Sequence, residues 1–509
     1  MRNIRLYTLL ALLLMAGGVT MKAQGNDRTL EYGYWADTVT EQPEGYVVDA
    51  EGNVEISTPE GLAWLSCVVN GLNGCEPNNF DGRTVRLMAD LNLEETYGLM
   101  NLVPIGNREH RFMGTFDGQN HSIDGLFIIN SLGEEMRMDM GLFGYLYHGT
   151  VKNLSLNSGF YAYMHPFDMN TGTYEHYYDA LVAAVADSLS VVDGCTCRLK
   201  MLEAVGNAHA GGTYMASVVG LNRNSIVRNC CYEMDRYSQL GAIDVGGIVL
   251  RNLCEGDYAD AIVENCYFYG SLMGSFSDEN MGGIVCFNET VSNGKNAIVR
   301  NCYSELLDYL TGHYNKGCIV AYNSEGSVVE NCFADVSGQQ GWNGLFGTNL
   351  GETINCTEFL PYIYMGDGAL SEPVVIGETQ TDRLVEALNA WVNAQEEPNL
   401  YREWIEGYSI PVPEFGEVWG VTENVVFSRT NAYPNPGKDV LNIRTGLKDA
   451  RVEVYDTNGR LIHSQTLTEN VTAIDTGGWA DGVYVWKVYT TGVSTSSTTL
   501  VESGKWIKE

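Results

Sequence analysis

Basic residues are scarce. The 509-residue chain carries 30 lysines and arginines against 64 acids, a formal net charge of −34. A surface this acidic repels phosphate backbones, and no basic stripe offsets it, so no nucleic acid partner is expected. Proline is sparse too, at 12, although glycine reaches 57. Low-complexity linkers are rich in both. Glycine spread among β-branched and aromatic residues instead implies many short strands joined by turns. The eight histidines are scattered. H-E-x-x-H, G-x-S-x-G, a P-loop and a dinucleotide fingerprint are all missing. So are an EF-hand loop and the repeated aspartate nonapeptide of calcium solenoids. No metal or other cofactor is expected.

Long apolar runs are confined to the start of the chain. Arg2 and Arg5 precede an apolar stretch at 9–16, and small residues lead to Ala23. That run is too short to span a bilayer and reads as a signal peptide over 1–23, cleaved before Gln24. No later segment resembles a membrane helix.

What is there is a repeat. SIVRNCCYE (225–233), AIVENCYFYG (261–270), AIVRNCYSE (297–305) and SVVENCFAD (327–335) share [IV]-V-x-N-C. The cysteines Cys230, Cys266, Cys302 and Cys332 are spaced by 36, 36 and 30 residues. The copies at 261, 297 and 327 are each preceded by a glycine-led apolar strand, as in GGIV at 246–249 and 282–285. Such a period means a solenoid, and two short strands per unit with almost no helical periodicity mean a parallel β-helix. A leucine-rich repeat would need L-x-x-L-x-L spacing, and leucine is rare inside these units. Stacked coils bring like onto like about 4.8 Å apart. Asn229, Asn265, Asn301 and Asn331 then form an amide row at a bend, and the cysteines a row of buried thiols rather than disulfides, because stacked parallel Cβ vectors disfavour the disulfide dihedral. Cys67 and Cys75, outside the ladder, are the better candidates for a bridge.

Before the repeats, Thr58 as N-cap, Pro59 and Glu60 open a helix whose apolar face is Leu62, Leu65, Val68 and Val69. The stretch 84–93 alternates as a strand, and Asp117-Gly118 with Gln119-Asn120 marks a tight turn between two strands. After Cys356 the pattern changes. Residues 381–395 form an amphipathic helix with Leu384, Leu388, Trp391 and Val392 on one face, an expected cap on the open end of the solenoid. From 421 onward, six alternating segments with turns at 457–459 and 480–482 describe a small Ig-like β-sandwich. The expected organisation is therefore signal peptide 1–23, leader 24–56, parallel β-helix 57–359 with its N-terminal cap helix, C-terminal cap 360–420, and sandwich 421–509. The fold class is all-β.

Two stretches resemble known families. The helix followed by ADLNL (89–93), PIG (104–106) and F-x-G-x-FDG-x-x-H-x-I-x-GL (112–126) is similar to the opening of GLUG-type repeat proteins from surfaces of Bacteroidetes-like bacteria. The resemblance implies a right-handed β-helix capped by that helix. The C-terminal part resembles the type A sorting domain of the type IX secretion system. The matching residues are Tyr433, Pro434, Asn435 and Pro436, the VYD at 454–456 with Gly459, Gly482 and Tyr484 with Lys487, and the tail Lys505 to Lys508. That resemblance implies handling by the type IX secretion machinery and its sortase, passage to the outer cell surface, removal of this domain, and anchoring or release.

Chemistry is harder to place. Insertions at 160–178, 232–243 and 271–281 interrupt the coils, and loops on a stiff scaffold are where binding sits. They carry Tyr161, Tyr163, Tyr174, Tyr177 and Tyr178, whose rings suit sugars or simply pack the loops down. Asp257 with Asp260, and Asp278 with Glu279, are the local acid pairs; acids on solvated loops are usually only soluble surface. His121 bonds the FDG turn, and His165, His176 and His313 lack ligand spacing. No catalytic residue is assigned. The reading is a secreted, surface-displayed, adhesin-like protein recognising a glycan or a host surface protein. A polysaccharide lyase or glycoside hydrolase on the same solenoid, or a structural surface component, are the alternatives.

Overall fold

The structure is a computed structural model. It describes residues 33–508 except 94–99, 130–138, 158, 163–166, 169–172, 175–176, 200–202, 206–213, 235–238, 243, 275–279, 292–293, 307–314, 336–343, 361–368, 407–412, 416–430, 434–436, 445–449, 458, 468–470 and 492–497. The chain divides into two compact units, Met1–Val418 and Trp419–Glu509.

The first unit is a parallel β-helix. One coil contributes Asp244–Gly246, Val249–Cys254, Ala261–Glu264 and Tyr267–Gly270 to four separate parallel sheets. The sheet holding Val249–Cys254 has seven strands, those holding Ala261–Glu264 and Tyr267–Gly270 have eleven each, and the short one holding Asp244–Gly246 has five. Registers join equivalent residues directly: Val227 to Val263, Val263 to Val299, Val299 to Val329. The period-2 pattern places these valines inside, all fully buried.

The bend expected at the asparagines is a corner between two sheets. Ala261–Glu264 ends at Asn265, and Tyr267–Gly270 starts a different sheet. Asn153, Asn229, Asn265, Asn301, Asn331 and Asn355 all have φ between 49° and 52°, the left-handed region that asparagine tolerates better than other residues carrying a Cβ. Their amides join the coils. Asn265 donates to Asn229, Asn301 to Asn265 and Asn331 to Asn301, at 2.8, 2.8 and 2.6 Å, and Asn229 donates to Asp193 at 2.7 Å. The next residue is the buried cysteine. Its thiol meets the carbonyl two residues back, at 3.2 Å for Cys266, Cys302 and Cys332. A small side chain with a weak donor suits this tight corner. The FDG segment is likewise a coil corner, not a hairpin: Thr115–Asp117 and Ser122–Asp124 belong to different sheets. The stretch 84–93 also turns, splitting into Thr84–Leu87 and Leu91–Asn92.

A second amide row was not legible beforehand. Asn222, Asn252, Asn288, Asn323 and Asn349 link side chain to side chain at 2.7, 2.9, 2.8 and 2.8 Å. Its signal is an asparagine three residues after a buried or half-buried Val219, Val249, Val285, Val320 or Phe346. Next to the corner, one register position of the same sheet carries a third row of alternating sign: Glu55, Arg86, Asp117, Lys152, Asp193, Arg228, Glu264, Arg300, Glu330. Within it Arg228 meets Asp193 at 2.9 Å and Arg300 meets Glu264 at 2.6 Å.

The cap helix is Pro59–Asn70. The Thr58 hydroxyl accepts from Gly61 N at 3.2 Å, and Gly71 ends the helix with φ 69°. At the other end the arrangement differs from a simple lid. Ala369–Ile376 and Thr379–Arg383 form an antiparallel hairpin on Thr357–Leu360, covering the edge of that sheet. Because 379–383 is taken into the hairpin, the helix begins at Leu384 rather than at 381 and runs Leu384–Asn393. It folds back along the outside, where Leu384, Leu388, Trp391 and Val392 pack with Tyr267, Tyr303, Phe333 and Phe359. The chain then straps across the ladder. The Trp404 indole donates to Asn265 at 2.6 Å, Asn229 donates to the Leu400 carbonyl at 2.8 Å, and Arg402 N donates to Asn229 at 3.0 Å.

The second unit is a sandwich of two antiparallel sheets. One holds Asn431–Tyr433, Val440–Arg444 and Val471–Asp475; the other holds Ala450–Asp456, Leu461–Leu467, Gly482–Thr491 and Thr498–Lys508. Leu441, Ile443, Val452, Val454, Trp486 and Trp506 fill its core.

All thirteen cysteines are free thiols, so the expected Cys67–Cys75 bridge is not formed. Burial pushes Cys231 and Cys318 up to about 12, so these thiols stay protonated and unreactive at neutral pH. Only Cys75 and Cys356 are partly exposed. A maleimide should therefore label those two in the native protein, and all thirteen after denaturation without reductant; mass spectrometry reading fewer than thirteen would mean disulfides.

Asn301→Ala removes two interlocked amide bonds at a left-handed position. Stranded buried partners cost about 1–3 kcal/mol each and the backbone about 1 kcal/mol more, so the loss should be roughly 3 kcal/mol or above. Asn301→Gly should recover only the backbone part. Urea midpoints of the two variants check this.

Glu305 lies buried beside Tyr303, whose hydroxyl donates to it at 3.0 Å, and in register with Asp335. Burial, reinforced by the Asp335 charge, raises its carboxyl to about 7. A raised acid favours the protonated folded state, so stability should fall as pH climbs from about 4.5 through about 7, by on the order of 2–3 kcal/mol. Glu305→Gln should flatten that slope in urea titrations at pH 5 and pH 8.

Candidate functional site

The expected tyrosine platform divides. Tyr161 and Tyr174 lie in strands Gly159–Ala162 and Thr173–Tyr174, but their side chains, and all of Tyr163, fall outside the described residues. Tyr177 is buried, with the Arg108 guanidinium 4.8 Å over its ring. Tyr178 is half-buried and packs beside Leu250 and Phe287. Among the acid pairs, Asp260 accepts from Asn296 N at 2.8 Å and faces Lys295 at 3.8 Å, while Asp257 is exposed. Asp278, Glu279, His165, His176 and His313 lie outside the described residues. His121 bridges coils through Asp90 at 3.1 Å. Among the described residues no group of three or more His, Cys, Asp or Glu side chains is placed to hold a metal ion.

The structure places a different site at the junction of the cap helix and the first coils. A groove of about 490 Å³ is lined by Val69, Pro77, Asn78, Asn79, Glu109, His110, Arg111, Met113 and Tyr147. That volume is in the range of small-molecule sites. Its wall is fixed from below. The buried Asn70 of the cap helix donates to the Pro104 carbonyl and accepts from Asn107, both at 2.9 Å. The Asn107 side chain in turn accepts from the backbone N–H of Glu109 and His110 at 2.8 Å. Phe112 bridges in parallel to Leu146 and points into the core. Strand alternation therefore turns Arg111 outward, alongside Tyr145 and Tyr147. The guanidinium lies 5.1 Å from the Tyr145 ring centre and 4.8 Å from that of Tyr147. Tyr147 also stacks on the exposed His148 at 4.4 Å and 8°. No sequence pattern singled out these residues, because the groove joins a helix, a loop and a sheet edge.

Next to it on the same sheet face, the Tyr145 hydroxyl donates to Asp187 at 2.6 Å and receives from Arg223 at 3.1 Å. Burial and the bond to Asp187 push Tyr145 up to about 12. Burial alone would raise Asp187, but the bonds from Arg223 and Tyr145 outweigh it and hold the carboxyl below its usual range. Tyr145 is thus no base at neutral pH, and Asp187 is an ionised acceptor rather than an acid. The network braces the aromatic wall.

In the second unit, Gly459 closes a turn at φ 77° and the Tyr484 hydroxyl bonds back to the Ala480 carbonyl at 2.7 Å, a tyrosine-corner contact. Pro434, Asn435 and Pro436 lie outside the described residues. The tail is not a loose end, and the strand expected at 498–501 continues to Lys508. Lys505 is exposed, whereas Lys508 is buried and donates to the Lys438 carbonyl at 2.6 Å.

No helix among the described residues is long and apolar enough to cross a membrane. Neither the curated proteins nor the solved structures contain a match to the chain. One family does match, described as the secretion system C-terminal sorting domain, over residues 431–502. That segment is the sandwich just described, so the protein carries a type IX secretion sorting domain behind a parallel β-helix and is secreted to the cell surface or beyond it.

Proposed function

We propose that the protein is a non-catalytic, adhesin-like binding protein of the cell surface, whose β-helix recognises a glycan or glycoprotein in the groove beside Arg111 and Tyr147. The observation that carries the reading is the Arg111 guanidinium held over two tyrosine rings at the rim of that groove. The two rings fix the guanidinium at the rim, and the flanking Asn79, Glu109 and His110 supply further donors and acceptors for hydroxyls. A stiff solenoid is a suitable carrier, because the site is set by the cap helix and sheet edge rather than by a long loop. The GLUG-type resemblance of residues 89–126 fits the same picture of a capped surface solenoid. In this reading residues 1–23 start export as a signal peptide, and the type IX machinery and its sortase complete it through the sandwich.

A glycan array probed with the chain 24–509, lacking the signal peptide, tests this, with product analysis on every polysaccharide that binds. Binding without new reducing or unsaturated ends is expected, falling at least about tenfold in both Arg111→Ala and Tyr147→Ala. New chain ends would replace the reading with a polysaccharide-active enzyme. Silence across the array would replace it with a protein ligand or a structural surface role.

A further inference from the structure

We infer that the groove selects sugars bearing a carboxylate, with Arg111 as the residue that reads the acid. This rests on the binding role proposed above and names its ligand class. The chain has two acids for every base, and its arginines are mostly claimed. Arg108, Arg198, Arg223, Arg228, Arg251 and Arg300 each hold a carboxylate within 3.0 Å. Arg111 is exposed and faces no carboxylate within 4.0 Å among the described residues. Its Nε donates to the Arg108 carbonyl at 3.3 Å. That bond and the two tyrosine rings orient the planar group and leave its two terminal nitrogens to the groove.

Such a fork matches a carboxylate through two parallel hydrogen bonds. Holding it in place before binding reduces the entropy lost on complex formation. Tyr147, which lines the groove under the guanidinium, holds that fork beside the bound sugar. Glu109, also in the groove, is exposed and can turn to solvent, where its repulsion is screened.

The global charge sharpens the ligand class. A formal −34 repels a uniformly anionic polymer. Screening over about 8 Å at physiological salt leaves one local contact free to act. The fitting ligand is a glycan with isolated acidic residues, of the uronic or sialic type, not a dense polyanion.

The test uses the same chain and calorimetric titration with glucuronyl and sialyl trisaccharides, each paired with its methyl ester. The ester keeps the shape and removes the charge. At least about tenfold tighter binding of the acid than of the ester is expected for one of the two sugars. Arg111→Gln should erase that preference while leaving the thermal midpoint unchanged, since the side chain is exposed. Equal binding of acid and ester, with Tyr147→Ala weakening both, would overturn the carboxylate inference and leave the groove reading intact. Binding of neither sugar in either form, alongside a silent array, would overturn both.

Discussion

The coil depends on one backbone constraint, a left-handed residue at a sheet corner. Six asparagines meet it with φ near 50°, and Gly194 takes the same place at 67°. Glycine would satisfy the dihedral everywhere, but it brings no amide. Asparagine turns the corner and also carries a donor and an acceptor that point along the stack. The chain therefore gains a hydrogen-bonded rail from the residue that it needs for geometry. The thiol in the next position follows from the same corner, because the space inside the bend admits a small side chain and the carbonyl two residues back accepts a weak donor. The strap through Leu400, Arg402 and Trp404 closes on this rail, taking up the amide capacity that stacking alone leaves over.

Repetition raises a second problem, which is register. Stacked strands with interchangeable valines could slip by a whole coil at little hydrophobic cost. The charge row removes that freedom. Its nine positions alternate in sign from Glu55 to Glu330, so a one-coil slip would set acid on acid and base on base. In a chain with so few cations, placing Arg86, Lys152, Arg228 and Arg300 here is an allocation of a limited resource. Two amide rows and one charge row thus fix each coil at three points, while the core valines supply the burial.

Sequence reading recovered what is periodic and lost what is not. The V-x-N-C spacing gave the coil and its order, because equal intervals in sequence become equal positions in space. It placed the asparagines at a bend, but not the change of sheet that the left-handed Asn265 makes there. The Asn222 row was equally periodic but lacked a cysteine to draw the eye. The strap bonds cross 137 to 173 residues, a distance no local pattern encodes. The helix start at Leu384 and the long strand to Lys508 were decided by sheet pairing that propensity cannot see. Composition left the insertion tyrosines two roles, binding or packing, and Tyr177 takes the second against Arg108.

That packing follows from the architecture. The faces of a solenoid repeat, so each coil offers its neighbour's chemistry again, and stacked charges neutralise one another as Arg251 does with Glu289. Distinctive chemistry survives where the repeat is broken. The cap helix is such a break. It seals the first coil, and through Asn70 and Asn107 it sets a loop whose Arg111 has a sheet edge on one side and no following acid on the other. The same element that protects the fold from edge-on association therefore also creates a groove with a guanidinium that no described carboxylate claims.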